Sequence, residues 1–245
     1  MPSIAAFGLT DIGHHRDNNE DVLLLMPEAG AFAVADGMGG PAFGEVAAAI
    51  FADTARRALS TNPPGTIDDA ERLAREIFLI ANRDILAYAS EAAAREGMGC
   101  TAELLLVVGD DWLIGHVGDS RSYRFRGGEL LRITKDHSLV QDQVDRGLLP
   151  EADARRHPMR NVILRAVGTA ELIETDIHRG TLLPGDLILL CSDGLTDMAD
   201  EAEIGALLAG PGPLPEKGKR LVDLALAAGG RDNVTVVLCE RLQGG

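Results

Sequence analysis

Two very short turns constrain this chain more than any other feature. Gly109-Asp110-Asp111 joins the apolar runs Glu103–Val108 and Trp112–Val117, and Gly127-Gly128 joins Arg121–Arg126 to Leu130–Ile133. Links of that length connect antiparallel neighbours, because a parallel crossover needs about a dozen residues or more. Further strand patterns fall at Val22–Met26, Ala31–Ala35, Leu172–His178, Leu187–Cys191 and Val234–Cys239. Antiparallel sheets are the expectation.

Two long helical patterns stand side by side between the strands. Residues 43–60 set Val46, Ile50, Phe51, Thr54, Ala58 and Leu59 near one face, and residues 67–96 repeat this with Ala70, Leu73, Ala74, Ile77, Ala81, Ile85 and Tyr88. A second pair is expected near 200–209 and 215–228, split by AGPGPLP. Runs of strands alternating with pairs of helices predict a layered α+β fold. With no linker-like shift in composition and no internal repeat, residues 1–245 are expected to form one domain.

The composition narrows the function. With 38 acidic and 23 basic residues the formal charge is −15, which argues against nucleic acid or anionic membranes as primary partners. No stretch is apolar enough for a membrane span, and the N-terminus has no basic leader, so a cytoplasmic protein is expected. Cys100, Cys191 and Cys239 form no C-x-x-C pair and read as buried thiols.

The stretch AFAVADGMGG (31–40) stops an apolar run at an aspartate. Gly37 to Ala42 fits G-x-G-x-x-A, the dinucleotide fingerprint. That motif needs a helix leading into a parallel strand and an acid about twenty residues on. Here one helix leads into another, and Asp36 precedes the first glycine, where a carboxylate suits a cation better than a diphosphate. Asp119, Asp193 and Asp232 share its grammar, each beside glycine at the end of a β-like run. Singly, each reads as turn chemistry; together, strand ends of a packed sheet share a rim, where carboxylates converge. Convergent carboxylates without histidine or cysteine suit Mg²⁺ or Mn²⁺. Two such ions ~4 Å apart acidify a water for in-line attack on phosphorus. Gly37, lacking a side chain, lets its carbonyl approach a metal.

At this point the chain resembles the metal-dependent protein serine/threonine phosphatases, the PPM or type 2C family, in its bacterial form. The resemblance runs through TDIGHHRDNNED (10–21), VADGMGGPAFGE (34–45), GMGCTAELLLV (97–107), HVGDSRSYRFRGGEL (116–130), ITKDHSLV (133–140), HPMRNVILRAVGT (157–169), GDLILLCSDGLTD (185–197) and GGRDNVTVVL (229–238). It implies a four-layer α-β-β-α sandwich, two antiparallel sheets flanked by helix pairs, with the metal site at one end. Asp36 would bridge two Mn²⁺ or Mg²⁺ ions, the Gly37 carbonyl would ligate one, and Asp193 and Asp232 the other. Asp119 with Asp193 would hold a third, weaker ion. Arg16 matches the phosphate-binding arginine, and Glu20 and Asp21 match acids that hold bound water or orient the site. A flap maps to about 138–162. The implied activity is hydrolysis of phosphoserine and phosphothreonine by a two-metal-activated water. A monomer reversing a cognate serine/threonine kinase is expected.

Plainer readings stand beside these. Arg16 also reads as a solvated loop arginine, and Glu20-Asp21 as the acidic start of a strand. Asp136-His137-Ser138 reads as a helix N-terminus capped by Asp136 or Ser138. The basic cluster Arg155-Arg156-His157…Arg160 either recruits acidic phosphoprotein segments or is a solvated surface. Three departures from the family pattern matter: Pro41 replaces the usual bacterial histidine, Met38 stands where eukaryotic members carry a general-acid histidine, and Cys100 replaces a threonine. The leaving-group acid is therefore unassigned. A non-catalytic phosphoprotein binder and a small-molecule phosphomonoesterase are the competing functions.

Overall fold

The computed structural model describes residues 4–39, 43–95 and 97–242. Two antiparallel sheets lie face to face, each covered on its outer side by helices. One sheet has the order β1 (Ile4–Asp11), β11 (Val234–Arg241), β10 (Leu187–Cys191), β7 (Arg121–Arg126), β8 (Glu129–Arg132). The other has β2 (Asp21–Met26), β3 (Ala31–Met38), β5 (Ala102–Val108), β6 (Asp111–Val117), β9 (Asp176–Thr181), with the short β4 (Gly99–Cys100) paired to β3. Both short turns close antiparallel hairpins, β5–β6 and β7–β8.

The period of two along each strand sorts side chains between layers. On β3, Phe32 and Val34 enter the layer between the sheets, while Ala31, Ala33 and Ala35 face helices. On β10, Ile188 and Leu190 point between the sheets, and Leu187, Leu189 and Cys191 point outward. Both faces are covered, so these strands read as unbroken apolar runs rather than alternating ones. The alanines of β3 admit α1 (Gly44–Thr61) and α2 (Ile67–Ser90), whose Phe51 and Phe78 rings meet edge-on at 5.0 Å. On the other side, Leu221, Val222 and Ala225 of α7 (Leu214–Ala227) and Ile204 and Leu208 of α6 (Glu201–Ala209) cover the first sheet. The expected α-β-β-α sandwich is the observed one.

The differences are local. Strand β1 has no counterpart among the sequence-based strands. It is an edge strand with half-buried residues and Gly8 in its middle, so it carries a weak pattern. The strand expected at Leu172–His178 runs from Asp176 to Thr181, leaving Leu172 90% exposed. The helix expected over 67–96 ends at Ser90, and a single 3₁₀ turn follows at Ala93–Arg95. Residues 40–42, including Pro41 and the end of the G-x-G-x-x-A match, lie outside the described residues. Cys100, Cys191 and Cys239 are buried free thiols, as read.

Phe78 joins the outer helix layer to its sheet: it packs on Phe51 and fills the space over Gly115, where a Cβ would strike its ring. Phe78→Ala should lower the unfolding free energy by about 3–5 kcal/mol, the range for emptying a buried aromatic site. Urea denaturation monitored by circular dichroism measures this.

Candidate active site

The inter-sheet layer is apolar along most of its length and turns polar at one end, by the same period of two. On β3 the face carrying Phe32 and Val34 continues to Asp36. On β2 the face carrying Leu25 and Leu23 continues to Asp21, which lies opposite Asp36 in the register. On β10 Ile188 and Leu190 are followed on that face by Ser192, and on β11 Cys239 and Val237 by Thr235. Ser192 Oγ donates to Asp21 Oδ2 (2.7 Å) and accepts from the Thr235 amide (3.0 Å). Farther along the layer, buried Glu103 accepts from His116 Nδ1 and Ser122 Oγ, and His116 Nε2 donates to the Lys135 carbonyl (2.8 Å).

A cleft of about 520 Å³ opens over this polar end. Asp36, Gly37, Asp119, Asp193, Asp232, Glu20 and Arg16 all line it, joined by Met38 and Asn161. Asp36 is held by Thr101, whose hydroxyl accepts from the Asp36 amide (3.3 Å) and whose amide donates to the Asp36 carbonyl (2.8 Å). Asp119 lies in the turn between β6 and β7. Asp193 is the first residue of the short helix α5 (Asp193–Thr196), and Asp232 precedes β11. Asn233 ties the N-terminal loop to this end: its Oδ1 accepts from the Glu20 amide (2.8 Å) and its Nδ2 donates to the carbonyls of Ile12 and Asn18 (2.9 and 3.0 Å).

The electrostatics are lopsided. Burial, then the charges of Asp21, Asp193 and Asp119, hold the Asp36 carboxyl well above the ordinary range. Burial followed by Asp119 and Asp197 does the same to Asp193. Burial and Asp136 push Asp119 up to about 7, against the pull of Arg121. Burial pushes Asp21 up to about 6 despite the hydrogen bond from Ser192. Among the described residues the one guanidinium lining the cleft, Arg16, is paired with Asp232 at 2.6 Å. Asp21 Oδ1 is buried without a partner among the described residues. A group of carboxylates facing one another, short of positive charge and with an orphaned oxygen beneath, fits divalent cations. Among the described residues no three acids, histidines or cysteines form a ready cage for one ion. Mg²⁺-type sites rarely use such cages; one or two carboxylates with several waters are usual.

The candidate metal and phosphate residues Arg16, Glu20, Asp21, Asp36, Gly37, Asp119, Asp193 and Asp232 all lie at this end of the sandwich, with distinctions. Asp21 lies beneath the cleft rather than on its wall. Glu20 sets its carboxylate against Gly44 in the first turn of α1, where an acid is favoured. Gly37 has a packing reason beyond carbonyl access: a Cβ there would collide with the Gly44 carbonyl and crowd that of Glu20. Ser138 caps α3 (Leu139–Asp145) by accepting from the Gln141 amide, whereas Asp136 accepts from Arg121 Nε and Nη2 (3.0 and 2.7 Å) and from Arg132. The two ends of the 138–162 segment, which also holds the one-turn helix α4 (Glu151–Ala154), are tied together beside Asp119. The Leu139 amide donates to the Val162 carbonyl (2.8 Å), the Leu164 amide to that of His137 (2.7 Å), and the His137 amide to that of Gly118 (2.7 Å). Asn161, Ser192, Thr101 and Asn233 were not singled out. Only the Arg-Asp-Asn run at 231–233 carried a hint of Asn233.

Comparison with known proteins identifies the family. The sequence profile of protein phosphatase 2C matches residues 14–211. The serine/threonine phosphatase stp of Listeria monocytogenes is 35% identical over 235 residues, 94% of this chain and 92% of the relative. A serine/threonine phosphatase structure from S. agalactiae superposes with a TM-score of 0.92 at 34% identity, covering 98% of this chain and 100% of the other. The catalytic domain of the phosphatase PstP in complex with two manganese ions gives a TM-score of 0.87 at 33% identity, covering 98% and 99%. The chain belongs to the protein phosphatase 2C family. Its class is that of a protein serine/threonine phosphatase, a hydrolase.

The raised carboxyls carry a sign that can be measured. A carboxyl with a raised native pKa keeps its proton in the folded state after the unfolded chain has lost it, so stability falls as pH rises between the two values. For Asp21 that window runs from 3.8 to about 6. In chelator the wild type should lose stability as pH rises across it, in part through Asp21, and Asp21→Asn should make that slope shallower. Urea denaturation at a series of pH values tests this; identical slopes would contradict it.

Proposed function

We propose that this chain removes phosphate from phosphoserine and phosphothreonine in proteins, using Mn²⁺ or Mg²⁺, and so opposes a serine/threonine kinase. The observation that carries this reading is the set of carboxylates converging on one cleft with a single guanidinium among them. Asp36 and the Gly37 carbonyl would hold one ion, and Asp36, Asp193 and Asp232 the other. Asp119 with Asp193 would serve a third, weaker site. When bound, such ions supply a water acidified enough to act as a nucleophile near neutral pH.

The side chains do the rest. Arg16 has a fork of donors that matches two phosphoryl oxygens, and its pairing with Asp232 keeps it on the cleft wall. Asp21, fixed by Ser192 beneath the cleft, orients the site from below, and Glu20 does so from the N-terminal loop. Met38 lines the cleft and has no proton to give. His15 is the one histidine on the cleft wall among the described residues.

Hydrolysis of a phosphothreonine peptide should stop in excess chelator and return with Mn²⁺ or Mg²⁺; full activity after exhaustive chelation would refute the reading. Arg16→Ala should lower kcat/KM roughly ten- to hundredfold, since hydrogen bonds to charged groups contribute about 1.5–3 kcal/mol. Metal stoichiometry, read by calorimetry, should be unchanged. A rise in KM alone would assign Arg16 to ground-state binding, a fall in kcat to the transition state.

A further inference from the structure

Beside the catalytic cleft lies a second one, of about 480 Å³, lined by Arg155, Arg156, Arg160, Arg231, Asp197 and Met198. The sequence showed three of these arginines as a cluster; the fold brings in Arg231 from more than seventy positions away. Among the described residues Asp197 is the one acid in the lining of this cleft, and Arg155 and Arg160 also border an adjoining acidic cleft with Glu151, Asp200 and Glu201, which Arg156 and Arg231 do not line. Asp197 accepts from Arg160 Nε (3.2 Å), and its carbonyl accepts from Arg155 Nη2 (3.4 Å). Among the described residues neither Arg156 nor Arg231 joins any ion pair, and both are exposed. In a chain of net charge −15, exposed Arg56, Arg72, Arg83 and Arg179 are each paired with an acid nearby, while exposed Arg57 is bonded to Thr54 instead; what sets Arg156 and Arg231 apart is that they share one concavity. Several unpaired arginines gathered in one concavity repel one another, and an oxyanion relieves the repulsion with fork-shaped hydrogen bonds.

The position of this cleft gives it a use. Arg231 is followed directly by Asp232, and Arg160 by Asn161, and both followers line the catalytic cleft. The two clefts therefore share a wall at two separate points of the chain, and neighbouring residues are about 3.8 Å apart. An extended peptide advances about 3.3–3.6 Å per residue, so a substrate with its phosphoresidue in the first cleft reaches the second within about three residues.

Resting on the phosphatase reading above, we propose that the Arg155–Arg156–Arg231 cleft is an anion subsite. It selects substrate segments bearing a second oxyanion, a phosphorylated or acidic residue, within about three residues of the phosphate to be removed. Such a subsite acts by binding, so its effect falls on KM and weakens as salt screens it.

The test uses the full chain with Mn²⁺ and four substrates: p-nitrophenyl phosphate, a phosphothreonine peptide with neutral flanks, and the same peptide with either a second phosphothreonine or a glutamate pair nearby. Wild type should favour the anion-flanked peptides by about tenfold in kcat/KM over the neutral one, mainly through KM. Whichever anion shows the preference identifies the natural one. The double variant Arg156→Ala/Arg231→Ala should lose the preference while its rates on the neutral peptide and p-nitrophenyl phosphate stay at wild-type values. Absence of the preference in wild type, or its survival in the double variant, overturns the subsite while leaving the phosphatase reading intact. Failure to hydrolyse any of the four overturns both.

Discussion

Everything at the functional end depends on how the two sheets meet. Phe32 and Val34 from one sheet and Ile188, Leu190 and Val237 from the other fill an apolar layer between them. Apolar burial there holds the strands in fixed register. Because side chains on a strand alternate with a period of two, the register that buries Val34 also delivers Asp36 into the same layer, and the one that buries Leu23 delivers Asp21. The active end is the hydrophobic core continued past the point where its residues become acids.

Such an arrangement is costly in isolation. Burying carboxylates beside one another raises their pKa values and strains the folded state. The protein offsets part of this with the Ser192 hydroxyl donating to Asp21, and part with Arg16 on Asp232. The remaining deficit of positive charge is what suits the site to cations. Stability and function pull against each other here, which is the usual condition of a preorganised polar site.

Much of this was legible from residue types. Gly109-Asp110-Asp111 and Gly127-Gly128 announced hairpins because turns of that length admit little else, and Asp-Gly at the ends of apolar runs announced a shared rim. Strand β1 was hidden because an edge strand pairs on one side and needs little apolar contrast. The start of β9 was misjudged because Leu172 is apolar yet points to solvent. The choice between Asp136 and Ser138 as helix cap needed the structure, since only three-dimensional proximity reveals that Arg121 and Arg132 claim Asp136. For the same reason the meeting of Arg231 with Arg156 left no trace in the sequence.

The acids of the cleft come from the loop before β2, the end of β3, the β6–β7 turn, the start of α5 and the residue before β11, so they span almost the whole chain. No hairpin or helix pair carries even half of the set. Pairings so distant in sequence are entropically slow to close, and the cleft has no local precursor that could assemble early. During folding it is therefore among the last features to exist, and any sub-global opening that frees one of these strand ends dissolves it. Catalytic competence is in this sense a readout of the complete topology.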